Sequence, residues 1–180
     1  MSERSAWEAR MSTTPSQETL ARLWEDHIRH EFETRSTEDT LATMVEDAYV
    51  DHVPVLTGGS GKAELREFYA THFIPRMPPD MEMVPISRTI GSDQLVDEMV
   101  IKFTHSVELD WMLPGVAPTG RRVEVALVVV VRFRDGKLAH EHILLGPSLG
   151  AGPSRFARPK ESARRGRRER PEGLRSHNAS

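Results

Sequence analysis

The stretch RVEVALVVVVRFRDGKLAHEHILL, Arg122 to Leu145, decides the fold. Its first half is rich in β-branched residues, and the Val-rich centre predicts a strand over Arg122–Arg134 buried on both faces. Asp135-Gly136 is the two-residue signal of a tight β-hairpin. The chain then returns as a strand over Lys137–Leu144. Upstream the same period of two continues. Met81–Thr89 and Leu95–Glu108 read as strands around a Gly91-Ser92-Asp93 turn, and Trp111–Gly120 is a Pro/Gly loop.

Before Pro79 the period changes to that of helices. Leu20, Leu23, Trp24, His27, Ile28 and Phe32 recur at steps of three and four, and Ser16 is placed to cap that helix. Ser36–Met44 predicts a short second helix with Glu38 and Asp39 in its first turn. Tyr49–Val55 predicts a short strand closed by a Gly58-Gly59 turn. Lys62–Phe73 predicts a third helix with Leu65, Phe68, Tyr69 and His72 on one face. Helices first and a strand meander after them make an α+β fold. Three helices on one curved sheet leave a cavity between the layers.

The composition narrows the function. Residues 1–152 carry 15 basic and 24 acidic side chains, a balance of −9; residues 153–180 carry 9 and 3, a balance of +6. A uniformly nucleic-acid-binding chain is thereby excluded. No Cys is present, which removes thiol catalysis and Cys-type zinc sites and makes a cytoplasmic chain the default. The longest apolar run, Val125–Val131, is far short of the roughly 20 residues that cross a bilayer, so no membrane partner is expected. The N-terminus lacks the apolar core of a secretory signal. Residues 1–16 read as a flexible leader in which Met11 is an alternative start, 17–145 as the domain, and 146–180 as an Arg-rich, disordered tail.

Histidines carry the candidate chemistry. On the strand from Leu95, Asp97, Met99, Ile101, Phe103 and His105 share the more apolar face, which puts His105 inward beside Phe103. On the last strand, His140 and His142 share one face with Leu138 and Leu144, opposite Ala139, Glu141 and Ile143. Such a pair can transfer protons, or clamp a metal with His105 or His52 as third ligand, or simply be structural. No metal and no cofactor is expected. His52 sits in a strand before the Thr57-Gly58-Gly59 turn. Trp111 either caps a pocket or packs on the sheet edge. No nucleophile elbow, zincin motif, phosphate loop or dinucleotide fingerprint occurs.

Several strings resemble the SnoaL-like branch of the nuclear-transport-factor-2-like superfamily, which includes polyketide cyclases and ketosteroid-isomerase-like enzymes. They are His52-Val53-Pro54 with Thr57-Gly58-Gly59, Pro85-Ile86-Ser87-Arg88-Thr89, Val96-Asp97-Glu98-Met99, Lys102-Phe103-Thr104-His105, Asp110-Trp111 with Leu113-Pro114-Gly115, Pro118-Thr119-Gly120, and Phe133 through Ile143. The resemblance implies a cone of curved antiparallel sheet wrapped around the N-terminal helices, with a deep apolar pocket and proton-transfer chemistry inside it. It stops after Ile143, where the family pattern continues Tyr-Trp-Asp-Gln. Codons for Leu144–Pro159 can be chosen so that dropping one base reads YWDQASVLVQAGLLD. A frameshift near codon 144 is therefore one origin for the basic tail, and argues against a nucleic-acid partner.

The function expected on this basis is acid–base chemistry on a small, mostly apolar carbonyl compound: cyclisation, isomerisation or water addition. His105, His140 and His142 are the expected catalytic residues. His52, Tyr69, Phe73, Met99, Phe103 and Trp111 are the expected substrate contacts. The alternatives are a non-catalytic ligand-binding or dimerisation module, with a homodimer through the sheet, and a His-ligated metal site.

Overall fold

A computed structural model describes residues 16–149, with side chains through 146. Almost all of the expected leader and tail lies outside those residues. Helix α1 (Gln17–Phe32) starts where Ser16 Oγ accepts the Thr19 N–H at 3.2 Å. It buries Leu20, Trp24, His27 and Glu31 on one stripe. Helix α2 (Thr37–Ala42) is capped in the same way by Ser36.

Strand β1 (Met44–Val53) follows directly, five residues earlier than its sequence suggests. A register shift between Met44 and Tyr49 breaks the period of two there, which hides the first half of the strand. The Gly pair is a short edge strand, β2 (Thr57–Ser60), paired antiparallel to β1, rather than a turn. Gly58 sits at φ +146°, and a Cβ there would lie 1.9 Å from the Val50 carbonyl oxygen. Gly58→Ala should therefore cost about 2–3 kcal/mol in chemical denaturation, because β2 has to leave β1.

The third helix, α3, keeps α geometry only over Gly61–Glu67. It widens into a π-helical turn, Phe68–Phe73, and ends in a 3₁₀ turn, Ile74–Arg76. The wider turn buries Phe68, Tyr69 and Phe73 together, which a uniform α-helix would spread around its circumference. Pro75, in that last turn, and Pro78 stop the helix.

Strands β3 (Glu82–Ile90), β4 (Gln94–Thr104), β5 (Arg122–Arg134) and β6 (Lys137–Leu149) complete a six-stranded sheet in the order β2-β1-β6-β5-β4-β3. The sheet is curved and not closed. It is mixed rather than wholly antiparallel, because β1 runs parallel to β6 while every other pair is antiparallel. The parallel pair arises because the chain leaves β1 and reaches β6 only after β2, α3 and three further strands.

One face of the sheet makes the core with the helices: Leu95, Met99, Ile101 and Phe103 from β4, and Val125, Leu127, Val129, Val131 and Phe133 from β5. The other face of β5 is only half-buried at Val128 and Val130, so burial on both faces does not occur. The Val run reflects strand propensity rather than a second covering layer.

The hairpin forms as its sequence demands, with Asp135 at φ 54° and Gly136 at φ 71°. Two residues further on, the register slips. Phe133 pairs with Leu138, but Arg132 pairs with His140. Ala139 is thus an extra residue, a β-bulge, and every side chain after it changes face. Leu138, Glu141 and Ile143 point inward; His140 and His142 point outward.

Candidate functional site

A cleft opens between the helices and the inner face of the sheet. Its walls are apolar. Trp24, Ile28 and Phe32 come from α1, Phe68, Tyr69 and Phe73 from the widened turn, and Met83, Met99, Leu127 and Ile143 from the strands. It holds about 550 Å³ of open space counting its mouth. Phe68 and Trp111 also back a second, more polar hollow bordered by His72 and Asp110, whose side chains pair at 2.7 Å.

Only a few polar groups reach the cleft: Glu31, Glu141 and His52, with the Tyr69 hydroxyl among them. Glu31 comes from the last turn of α1 and Glu141 from β6 just past the bulge. Both are at most 4% exposed. Behind them lies His27, fully buried and one helical turn before Glu31. Its Nε2 is 2.9 Å from Glu141 Oε1 and 3.2 Å from Glu31 Oε1. Neither contact is an aligned hydrogen bond, since Nε2 and Glu141 Oε1 have no hydrogen-bond partner.

The other ring nitrogen is fixed. Thr43 Oγ1 donates to the Thr40 carbonyl at 2.6 Å, so it must accept from His27 Nδ1–H, also at 2.6 Å. Burial alone would push the His27 pKa down. The Glu141 and Glu31 carboxylates outweigh it and hold the pKa up at about 10. Burial raises the Glu31 carboxyl above its usual range, opposed by the charge of His27. Tyr69, buried beside Glu31 but without an aligned hydrogen bond, is raised well above an ordinary phenol by burial first, then by Glu141 and Glu31. It therefore stays a hydroxyl, able to donate.

His52 faces the same cleft from β1. Its Nδ1–H donates to the Thr57 carbonyl at 3.0 Å, which leaves Nε2 as the lone-pair nitrogen. Burial lowers its pKa, so it is neutral at physiological pH. Trp111 lies against it, with ring centroids 5.2 Å apart, and its carbonyl accepts from Thr57 Oγ1 at 2.5 Å. The Trp111 loop is thereby latched onto β2, and its ring is 4% exposed in the cleft wall.

Five of the six expected substrate contacts line the cleft: His52, Tyr69, Phe73, Met99 and Trp111. Phe103 does not; it is wholly buried in the core, two residues along β4 from the lining residue Ile101. The three expected catalytic histidines are not brought together there. His105 is buried as expected, but it lies past the end of β4, with Nδ1 3.2 Å from Thr119 Oγ1 and its backbone paired to Gly120 and Arg121. It ties down the loop. Asp80, which binds Thr104 N–H and Oγ1, ends the strand four residues before the expected Glu108. His140 and His142 stand on the outer face, stacked on each other at 4.8 Å between centroids, with His140 stacked on Tyr49 at 4.8 Å, because the bulge at Ala139 reverses the strand's parity.

The groups that reasoning missed are His27, Glu31 and Glu141. Glu141 was assigned to the opposite face. Glu31 was legible: it continues the inward α1 stripe four residues after His27, and an acid on a buried stripe is a signal in itself.

A curved sheet over N-terminal helices is a fold shared with solved structures described as nuclear-transport-factor-2-like proteins. The chain belongs to the SnoaL-like domain family, whose model matches residues 16–141. A comparison with curated proteins gives no match. Solved structures share the fold. One described as a SnoaL-like polyketide cyclase from Jannaschia sp. CCS1 is 20% identical over 74% of this chain and 88% of that one, at a TM-score of 0.56. One described as a ketosteroid isomerase from Kribbella flavida DSM 17836 is 14% identical over 77% and 85%, at 0.51. The epoxide hydrolase/cyclase-like enzyme SalBIII, of pyran ring formation in salinomycin, is 14% identical over 74% and 95%, at 0.55. Among the described residues no helix is long and apolar enough to cross a membrane.

Proposed function

We propose that the cleft binds a small, mostly apolar carbonyl compound and that the protein moves a proton on the carbon next to the carbonyl. One observation carries this reading. In a mostly apolar cleft, one wall carries two carboxylates backed by one buried imidazole. Such a cluster can take up a proton and return it without water.

In this scheme Glu141 takes the proton from the α-carbon, and the C–H electron pair moves into the C–C bond as the carbonyl becomes an enolate. Tyr69 O–H donates to the enolate oxygen. His27 holds the charge of the cluster, and the proton returns to carbon to complete an isomerisation or to follow a ring closure. His52 Nε2, at the other wall, accepts a hydrogen bond from a hydroxyl or enol of the guest. Phe73, Met99 and Trp111 shape the apolar contact.

The test needs no knowledge of the natural substrate. In D₂O, a panel of cyclic and aryl ketones, 1-tetralone among them, is followed by NMR for exchange of α-protons. At least one member should exchange about 10²-fold or more faster with protein than without, within the range that positioned general bases provide. Saturable binding without exchange would make the protein a binding module instead.

A further inference from the structure

We propose that His27, Glu31 and Glu141 form a seat for a divalent first-row transition-metal ion, open toward the cleft. The ligand atoms they offer lie within 4.8 Å of one another. The His27 Nε2 distances of 2.9 and 3.2 Å to the two carboxylate oxygens match the edges of a coordination polyhedron with metal–ligand bonds of about 2.0–2.2 Å. These are poor hydrogen-bond alignments and good chelation distances.

The surroundings fit a ligand set. Thr43 Oγ1, its own proton given to the Thr40 carbonyl, can only accept from His27 Nδ1–H. That outer contact fixes the ring and aims Nε2 at the two carboxylates, as the second shell of a metal-binding imidazole does. Two buried carboxylates converge on His27 Nε2, and a cation bound there would balance their charge. One nitrogen and two carboxylate oxygens are too few and too mixed for Ca²⁺ or Mg²⁺, and suit Zn²⁺, Mn²⁺ or Fe²⁺. The Tyr69 hydroxyl, buried and without a hydrogen-bond partner, borders the open side, where a metal-bound water or guest oxygen would meet it. His27 and Glu31 approach from α1 and Glu141 from β6, so a bound ion would also tie the helix to the sheet.

This inference goes beyond proton transfer and stands independently of it, because binding is read with metal alone. The full-length chain, free of any purification tag and stripped with a chelator, is titrated calorimetrically with ZnCl₂ and, separately, MnCl₂. One equivalent of at least one metal should bind with a Kd below about 10 µM, and the melting temperature should rise with free metal. Glu141→Gln should weaken binding about 100-fold or more. Should that variant fail to fold, Thr43→Val, which leaves all three ligands in place, should weaken it about 10–100-fold. The double variant His140→Ala/His142→Ala should bind as the parent does. No binding of either metal, or binding lost only with the outer histidines, overturns the proposal.

Discussion

Replacing Glu141 by Gln reduces protein-catalysed α-proton exchange about 10²–10⁴-fold, the range set by removal of a positioned general base. Gln keeps the size and most of the shape of the side chain, so the cleft stays as it is. What is lost is the ability to hold a proton, together with the nearer of the two carboxylates that charge His27, 2.9 Å away. The control lies one residue further on. His142→Ala removes a side chain from the same strand but from its outer face, and should leave the exchange rate within about twofold, as expected of a substitution outside the reacting groups. Loss of exchange in His142→Ala, with exchange retained in Glu141→Gln, would return the chemistry to the outer histidines.

Asp97→Ala has the largest expected effect on stability. Asp97 is 3% exposed. Its Oδ2 accepts from Trp24 Nε1 and from Arg88 Nη2, both at 2.8 Å, and its Oδ1 accepts from Arg88 Nε at 3.0 Å. Three elements meet in this one carboxylate. It joins β3 to β4 through Arg88, and it anchors α1 to the sheet through Trp24. Without it, a buried indole N–H has no acceptor. Arg88 would lose its two-toothed partner and keep only Glu25, at 2.8 Å. About 3 kcal/mol of unfolding free energy should disappear, near the lower end for breaking a buried ion pair because Arg88 retains some access to water. Asp97→Asn, which keeps one acceptor oxygen, should lose less. Urea denaturation of both variants measures the difference. Equal and small losses would show that Trp24 is held by packing alone. The consequence for the site is direct, since Trp24 is part of the cleft wall.

How much of this was legible in the sequence differs from element to element. The hairpin at Asp135-Gly136 and the Ser16 cap are local signals, and both form as written. The inward face of β4 follows from simple alternation, and Asp97, Met99, Ile101 and Phe103 are all buried. Five of the expected cleft residues line the cleft because aromatic and apolar side chains on helix and strand faces have few other places to go. On β6, the faces of His140, Glu141 and His142 are the reverse of those expected, for one reason. Parity arguments count residues, and a single extra residue at Ala139 exchanges the two faces of β6. Nothing in the string Leu138-Ala139-His140-Glu141-His142 marks the bulge. It is set by how the twisted β5–β6 pair closes against β1, which is a tertiary matter. The π-helical turn at Phe68–Phe73 was illegible for a related reason. Its residues fit an α-helix locally, and the widening serves to bury three aromatic rings at once.

The proposed function puts the working surface of this protein in the inner cleft and not on the outer face of the sheet. Methionine methyl groups report on that directly. Met81, Met83 and Met99 line the cleft, whereas Met44, Met77 and Met112 are buried away from it. With the methionines labelled by ¹³C at the methyl carbon, 1-tetralone is titrated into the protein and the methyl resonances are followed by NMR. Saturable shifts at Met81, Met83 and Met99, with Met44, Met77 and Met112 unmoved, are the predicted result. Saturable binding that leaves the three cleft methyls unmoved and instead perturbs the ring signals of Tyr49, His140 and His142 would contradict it.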